Sequence, residues 1–438
     1  MSRKVFISVL GATNYRYCDY QKDGKSYGDV RFIQEATLNY LNCKSSWNNN
    51  DIAYILLTRQ AEKNNWEDRG QIDRNTHEVA IDPITHEPFK GLKSCLEQMQ
   101  LPFNVHPVRD LPDGNDEQEI WQIFNRVFSL LQEGDELYFD ITHGFRYIPM
   151  LILVLCNYSK FIKQVVVRSI TYGNYEVAST IKHGLIVDLM PLTILQDWAY
   201  ASAAFIESGN CNKLCALSKE RYQPLLSNSK GKDEDARLLR SLSENLSKTT
   251  DDFMTCRGIN IVSSKNISKL LASISNVKST IVEPLNPLLD KIKNSFAEFD
   301  IKENVVNGFS AAKWCLNNGL YQQAITILQE NIVTYFCIEE QLDWHIEKER
   351  NIVEDTFNIW DKDDFLPEEE WDIQSDIQRV RSVMSNTKIR DIAKLYKNIR
   401  DIRNDYNHSG MRNNPMKPDD IKSKIGSFIN ETTKMLDF

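Results

Sequence analysis

The chain has 438 residues, 42% of them hydrophobic and 26% charged, with a formal net charge of −9. Such a length and composition suit two or three globular domains, and the negative balance argues against a protein that coats nucleic acid by neutralising many phosphates. The N-terminal apolar run is too short for a signal peptide, no run of about 18 apolar residues occurs, and nine cysteines without paired spacings suit a reducing compartment; a cytoplasmic protein with no membrane partner is expected.

In chain order, β-branched runs at 4–11 (KVFISVLG), 51–58 (DIAYILLT), 103–108 (FNVHPV), 135–142 (DELYFDIT), 165–173 (VVVRSITYG) and 184–192 (GLIVDLMPL) read as strands, with helices at 117–134 and 147–160. Near-continuous apolar strands alternating with helices predict a mostly parallel sheet covered on both faces. This α/β, Rossmann-like half is expected over 1–193. Beyond it the strand pattern stops, and 194–438 reads as all-α, with a helical insertion near 210–305 that carries no interpretable motif. The polar stretches SNSKGKDEDARLL at 227–239 and DKDDFLPEEEWD at 361–372 read as loops. Cys211 and Cys215 approach ligand spacing, but a structural zinc site wants four ligands and no second pair lies nearby, so no metal is expected.

Open α/β sheets bind ligands in the crevice beyond the carboxyl ends of their strands. There the chain carries Gly11, Ala12, Thr13 and Asn14, then Thr58 and Arg59, then the densest polar cluster, DITHGFR, with Asp140, Thr142, His143, Gly144 and Arg146. A glycine at a strand exit lets backbone approach a ligand, and the start of the following helix offers unpaired N–H groups to an anion. The competing reading makes Asp140 and Thr142 helix caps and His143 a loop residue. Neither G-x-G-x-x-G nor G-x-x-x-x-G-K-[ST] is present, so dinucleotide and P-loop readings lose their main support.

Near the C-terminus, DIRNDYNHSGM places Arg403 and His408 five positions apart. On a helix that spacing is about 500° of rotation and about 7.5 Å of rise, so the two side chains point about 140° apart. They do not share a face, as positions three or four apart would. Ile392, Leu395, Ile399, Ile402 and Tyr406 form an inward stripe that leaves His408 facing away from its own core. Residues 377–424 hold twelve Lys/Arg against five Asp/Glu, whereas 341–376 hold thirteen acids against three bases. The competing reading makes His408 a cation at a helix C-terminus, ahead of Ser409 and Gly410.

Asp140, Thr142, His143 and Gly144 form D-x-T-H-G, which resembles the signature of the DxTHG-motif CRISPR-associated proteins. ISVLG, RFIQEATLNYL, ITYGNYE and VDLMPLTILQDWAYA are similar to that family too, and RNDYNH resembles the R-x4-6-H motif of HEPN ribonucleases. The resemblance implies a CARF sensory domain followed by a HEPN ribonuclease domain, in a homodimer or higher oligomer acting in type III CRISPR antiviral defence. It implies a cyclic oligoadenylate as allosteric activator, cyclic tetra-adenylate ahead of hexa-adenylate, and cleavage of single-stranded RNA, not DNA, without metal or cofactor. Arg403 and His408 would be catalytic with Asn404 as a polar helper, and Arg400 and Asn407 would hold RNA phosphates. Two alternatives stay open: a non-catalytic sensor that regulates a partner protein, and a CARF domain that degrades its own activator with Thr142 and His143 taking part.

Overall fold

The structure is a computed structural model and describes residues 2–68, 78–144, 147–277, 286–361 and 364–438. It divides into two compact units, Met1–Ile194 and Leu195–Phe438.

The first unit is built on an eight-stranded mixed sheet. Its strands are β1 (Lys4–Val9), β2 (Cys18–Lys22), β3 (Lys25–Val30), β4 (Ile52–Thr58), β5 (Asn104–Leu111), β6 (Glu136–Asp140), β7 (Val166–Asn174) and β8 (Gly184–Asp188), in the order β3-β2-β8-β7-β6-β1-β4-β5. The block from β5 to β7 is wholly parallel. The sheet is mostly parallel, as expected, with antiparallel pairings confined to the remainder: β8 runs antiparallel to β7, β2 and β3 form an antiparallel hairpin, and β2 runs parallel to β8. That hairpin turns at Asp23 and Gly24, both at positive φ, the backbone that a two-residue type I′ turn demands and Asp-Gly supplies. The last expected strand stops at Asp188, because from Met190 the chain is helical.

Alternation along β1 explains why both sheet faces are covered. Val5, Ile7 and Val9 join one core with Phe124, Val127 and Leu155, while Phe6 and Leu10 join another with Phe32, Ile55 and Leu96. Successive side chains on a strand point to opposite faces, so an uninterrupted apolar run requires a layer on each side. One polar device interrupts this packing. Ser8 and Asp140 are neighbours in register across β1 and β6, and both are fully buried. The Ser8 hydroxyl donates to Asp140 Oδ2 at 2.6 Å. Gln34, from the helix Ile33–Tyr40, donates to the Ser8 hydroxyl at 3.0 Å and to the Val9 carbonyl at 3.1 Å.

The second unit is helical. Val306–Asn317 and Tyr321–Glu339 are separated at Gly319, which adopts φ 73°. Thr387–Asn407 packs on Tyr321–Glu339, and Pro418–Met435 packs on Thr387–Asn407. Ile392, Leu395, Ile399 and Ile402 are buried as the stripe requires, with Tyr406 half-buried, and Tyr396 stacks on Phe357 at 4.0 Å. The segment 227–239 is not a loop throughout: Asp233 caps the helix Glu234–Met254 by accepting from the Ala236 N–H at 2.8 Å. Of 361–372, residues 362 and 363 lie outside the described residues, and Glu368–Glu370 is a single 3-10 turn. Among the described residues, no helix is long and apolar enough to cross a membrane.

The Asp140 carboxylate satisfies buried donors, so its removal is expensive. Asp140→Ala should lower unfolding free energy by about 2–4 kcal/mol, the cost of stranding two or three buried donors, measured as a shifted urea midpoint at unchanged m-value.

Candidate functional site

The strand order reverses between β1 and β6: after the β2–β3 hairpin the chain passes to β4 and β5 on one side of β1, then returns to β6 and β7 on the other. Loops leaving adjacent strands in opposite directions cannot close over one another, so a crevice opens there. A cleft of about 320 Å³ occupies this position. Gly11, Ala12, Thr13, Thr58, Thr142, His143 and Gly144 line it, together with an apolar wall that includes Leu56, Leu111, Ile123 and Ile148.

Thr142 is held from two sides. Its hydroxyl donates to Asp140 Oδ1 and accepts the Gly173 N–H at 2.7 Å, while its own N–H points at Asp140 Oδ1 at 3.2 Å. Asp140 therefore lies beneath the cleft and not in it: it positions Thr142 and has no surface left for a ligand. Neither residue caps the following helix, Ile148–Lys163, whose N-cap is Tyr147 without a side-chain cap bond. Burial pushes the Asp140 pKa up, and the Ser8 and Thr142 hydrogen bonds oppose that push.

His143 stands at the cleft with Nε2 buried and unpartnered. Its ring meets the edge of Tyr15 at 4.7 Å and 80°. Burial pushes its pKa down to about 4, so the ring is neutral at cellular pH and offers hydrogen bonding, not charge. Gly144 adopts φ 126°, and a Cβ there would crowd Ile148 and Val9 at 3.1 and 3.3 Å.

The facing loop is fixed by side chains that the sequence reading did not single out. The Gly11 N–H donates to the Tyr15 hydroxyl at 2.7 Å, where an added Cβ on Gly11 would also stand 2.7 Å from that oxygen. Asn65 donates to the Gly11 and Thr13 carbonyls at 2.8 Å each, and Asn64 donates to the Ala12 carbonyl at 2.7 Å. Tyr147 also lines the cleft and donates to the Asp113 carbonyl at 3.1 Å. Two expected contributors do not line it. Asn14 is exposed beyond the loop, and Arg59 is 88% exposed and paired with Asp110 at 3.0 Å. Arg146 lies outside the described residues.

In the helical unit, Thr387–Asn407 carries the second cluster. His408 is its C-cap and is exposed, and Ser409 and Gly410 follow at φ 55° and 65°. The helix thus ends on the histidine itself, with backbone N–H groups of 408, 409 and 410 returning to the carbonyls of Asn404, Tyr406 and Asp405. Arg403 is half-buried, its Nε is buried without a partner, and its guanidinium stands 3.9 Å from Glu330 Oε1. Glu330 is anchored in turn by Arg350, which donates to Glu330 Oε2 at 2.9 Å, to the Glu330 carbonyl at 3.1 Å and to the Thr334 hydroxyl at 2.8 Å. Arg400 is engaged by Asn358, and Asn407 accepts from Gln322 at 3.1 Å. Asp405 is buried and holds the loop after His408, with Arg412 at 3.7 Å and the Met416 N–H at 3.4 Å. Among the described residues, no group of three or more His, Cys, Asp or Glu is placed to hold a metal ion.

His143 gives a pH signature. An unfolded histidine takes a proton near pH 6.5, whereas the folded ring resists until about 4. Stability should therefore fall as pH drops through that window, by about 1.4 kcal/mol per pH unit at most from this residue. His143→Gln should lose this dependence, so the wild-type-minus-variant difference in unfolding free energy, measured in urea, should fall between pH 7 and pH 5.

Residues 5–176 match the family model described as CRISPR system endoribonuclease Csx1, CARF domain. The chain is also 25% identical over 264 residues to the CRISPR-associated protein MJ1674 of Methanocaldococcus jannaschii, an alignment covering 58% of this chain and 38% of that protein. The chain thus spans well under half the length of that relative. The crevice at β1 and β6 falls within the segment 5–176 that is similar to that CARF domain, and both similarities point to CRISPR-associated proteins.

Proposed function

We propose that this chain is a cyclic oligoadenylate-activated, metal-independent endoribonuclease of type III CRISPR defence, with the activator held at the β1/β6 crevice and RNA cut by Arg403 and His408. The observation that carries the reading is the coincidence of the CARF match with the DxTHG residues at that crevice, in a chain whose helical unit carries an exposed His408 and an Arg403 with an unpartnered Nε. Cyclic tetra-adenylate is the expected activator and a homodimer the expected assembly.

The chemistry follows from the side chains. In RNA the 2′-hydroxyl attacks the adjacent phosphorus and the 5′-oxygen leaves. An exposed imidazole can take or return a proton at cellular pH, and a guanidinium fork matches the charge that builds on the phosphorane oxygens. Asn404 remains the proposed polar helper. Arg403 and His408 diverge on their helix, so two chains brought together about a two-fold axis would each supply one pair to a shared groove. At the activator site, Thr142 is the residue whose hydroxyl is already committed to Asp140 and Gly173; His143, with its free Nε2, and the backbone of Gly11–Thr13 carry recognition.

Cleavage should persist in EDTA, spare DNA, and leave 2′,3′-cyclic phosphate or 3′-phosphate ends, read by mass spectrometry of the products. His408→Ala or Arg403→Ala should lower the rate at least 100-fold without altering the thermal midpoint by more than a few degrees. Cleavage at the wild-type rate by the double variant would leave the non-catalytic sensor standing instead.

A further inference from the structure

A second cleft, of about 480 Å³, lies in the helical unit, and Glu330 forms part of its wall. Its location matters because Glu330 is the residue that faces the Arg403 guanidinium. Three carboxylates line it, Glu330, Glu347 and Glu354, a charge pattern that repels a phosphate. The three are not equivalent. Glu330 is bound by Arg350 at 2.9 Å, and Glu347 stands at the start of the helix Glu347–Ile359. Glu354 is half-buried on that helix, and its carboxylate makes no hydrogen bond or ion pair among the described residues, although the charges of Arg350 and Arg403 reach it. Burial pushes its pKa up, the mark of a carboxylate deprived of water without compensating donors. Asn331, 3% exposed and lining the same cleft, likewise has an Oδ1 without a donor.

Unmet acceptors call for a ligand that brings N–H groups, and the other walls say what shape it has. Ile259, Ile327 and Trp344 line the cleft with apolar surface, and the His345 ring lies against Trp344 with centroids 3.8 Å apart and planes tilted by 31°. Flat apolar walls with hydrogen-bonding groups at the edge are how unstacked bases of single-stranded RNA are held. Resting on the assignment of Arg403 to the scissile phosphate, we propose that this cleft receives a nucleobase of the RNA substrate, with Glu354 accepting from an exocyclic amino group. Adenine, cytosine and guanine carry such a group and uracil does not. A site that leaves a buried acceptor unpaired with the wrong base discriminates strongly.

The test uses the full-length protein with its activator and short fluorogenic RNAs of uridine containing a single adenosine, cytidine or guanosine, beside the all-uridine RNA. At least one amino-bearing base should raise kcat/KM about tenfold or more over all-uridine. Glu354→Gln should bring that ratio to within about threefold of unity while its thermal midpoint stays within a few degrees of wild type. Equal cleavage of all-uridine RNA by the wild type, or full discrimination by E354Q, would overturn the base site while leaving the nuclease assignment intact. Failure of the wild type to cut any RNA, with Arg403→Ala indistinguishable from it, would overturn the nuclease assignment and the base site with it.

Discussion

A carboxylate with no exposed surface sits at the end of β6, and the shape of the crevice depends on how it is satisfied. Asp140 takes hydrogen bonds from Ser8 on the neighbouring strand and from the hydroxyl and N–H of Thr142. A buried charge or polar group without such partners is costly, so each donor is held where Asp140 needs it. Through Thr142 the constraint reaches Gly173 on β7, and through Ser8 it reaches Gln34 on the helix Ile33–Tyr40. The loop from 142 to 144 therefore leaves the sheet in one fixed direction and sets His143 against Tyr15. Asp140 thus acts from below the cleft, by fixing the residues that line it.

The helical unit solves a related problem with opposite means. Arg403 is not locked by a close pair: Glu330 stands 3.9 Å away, and the guanidinium Nε has no partner. Arg350 makes the short contacts to Glu330 and so holds the counter-charge in place while leaving Arg403 loosely engaged. Such an arginine is held in place by few bonds. His408 ends the helix, and the buried Asp405 ties down the loop beyond it.

Much of this was legible in the sequence, for physical reasons that differ by element. The strands that flank the crevice are covered on both faces and so read as unbroken apolar runs, and the inward stripe of Thr387–Asn407 follows the helical period. The β2–β3 hairpin escaped because it is short and polar at the sheet edge, although Asp23-Gly24 is a strong turn signal. The motif residues 140–144 pointed to a loop that lines a cleft, but sequence cannot separate a residue that lines a cleft from one that supports it; Asp140 and Arg59 look equally apt until burial and pairing are known. Asn64 and Asn65 were invisible for another reason. They act through long-range hydrogen bonds to the carbonyls of Gly11, Ala12 and Thr13, contacts for which no local pattern exists.

On the proposed function, a ligand at the β1/β6 crevice controls chemistry at Arg403 and His408. A ligand shifts such an equilibrium only by the difference in its affinity for the two states. The most direct measurement is the initial rate of RNA cleavage by the purified protein titrated with cyclic tetra-adenylate, beside calorimetric binding of the same molecule to His408→Ala. The expected result is a saturable rise in rate whose midpoint matches the calorimetric Kd, and a rise shifted to higher concentration in His143→Ala. A rate that does not respond to cyclic tri-, tetra- or hexa-adenylate, or binding that leaves the rate unchanged, would contradict it.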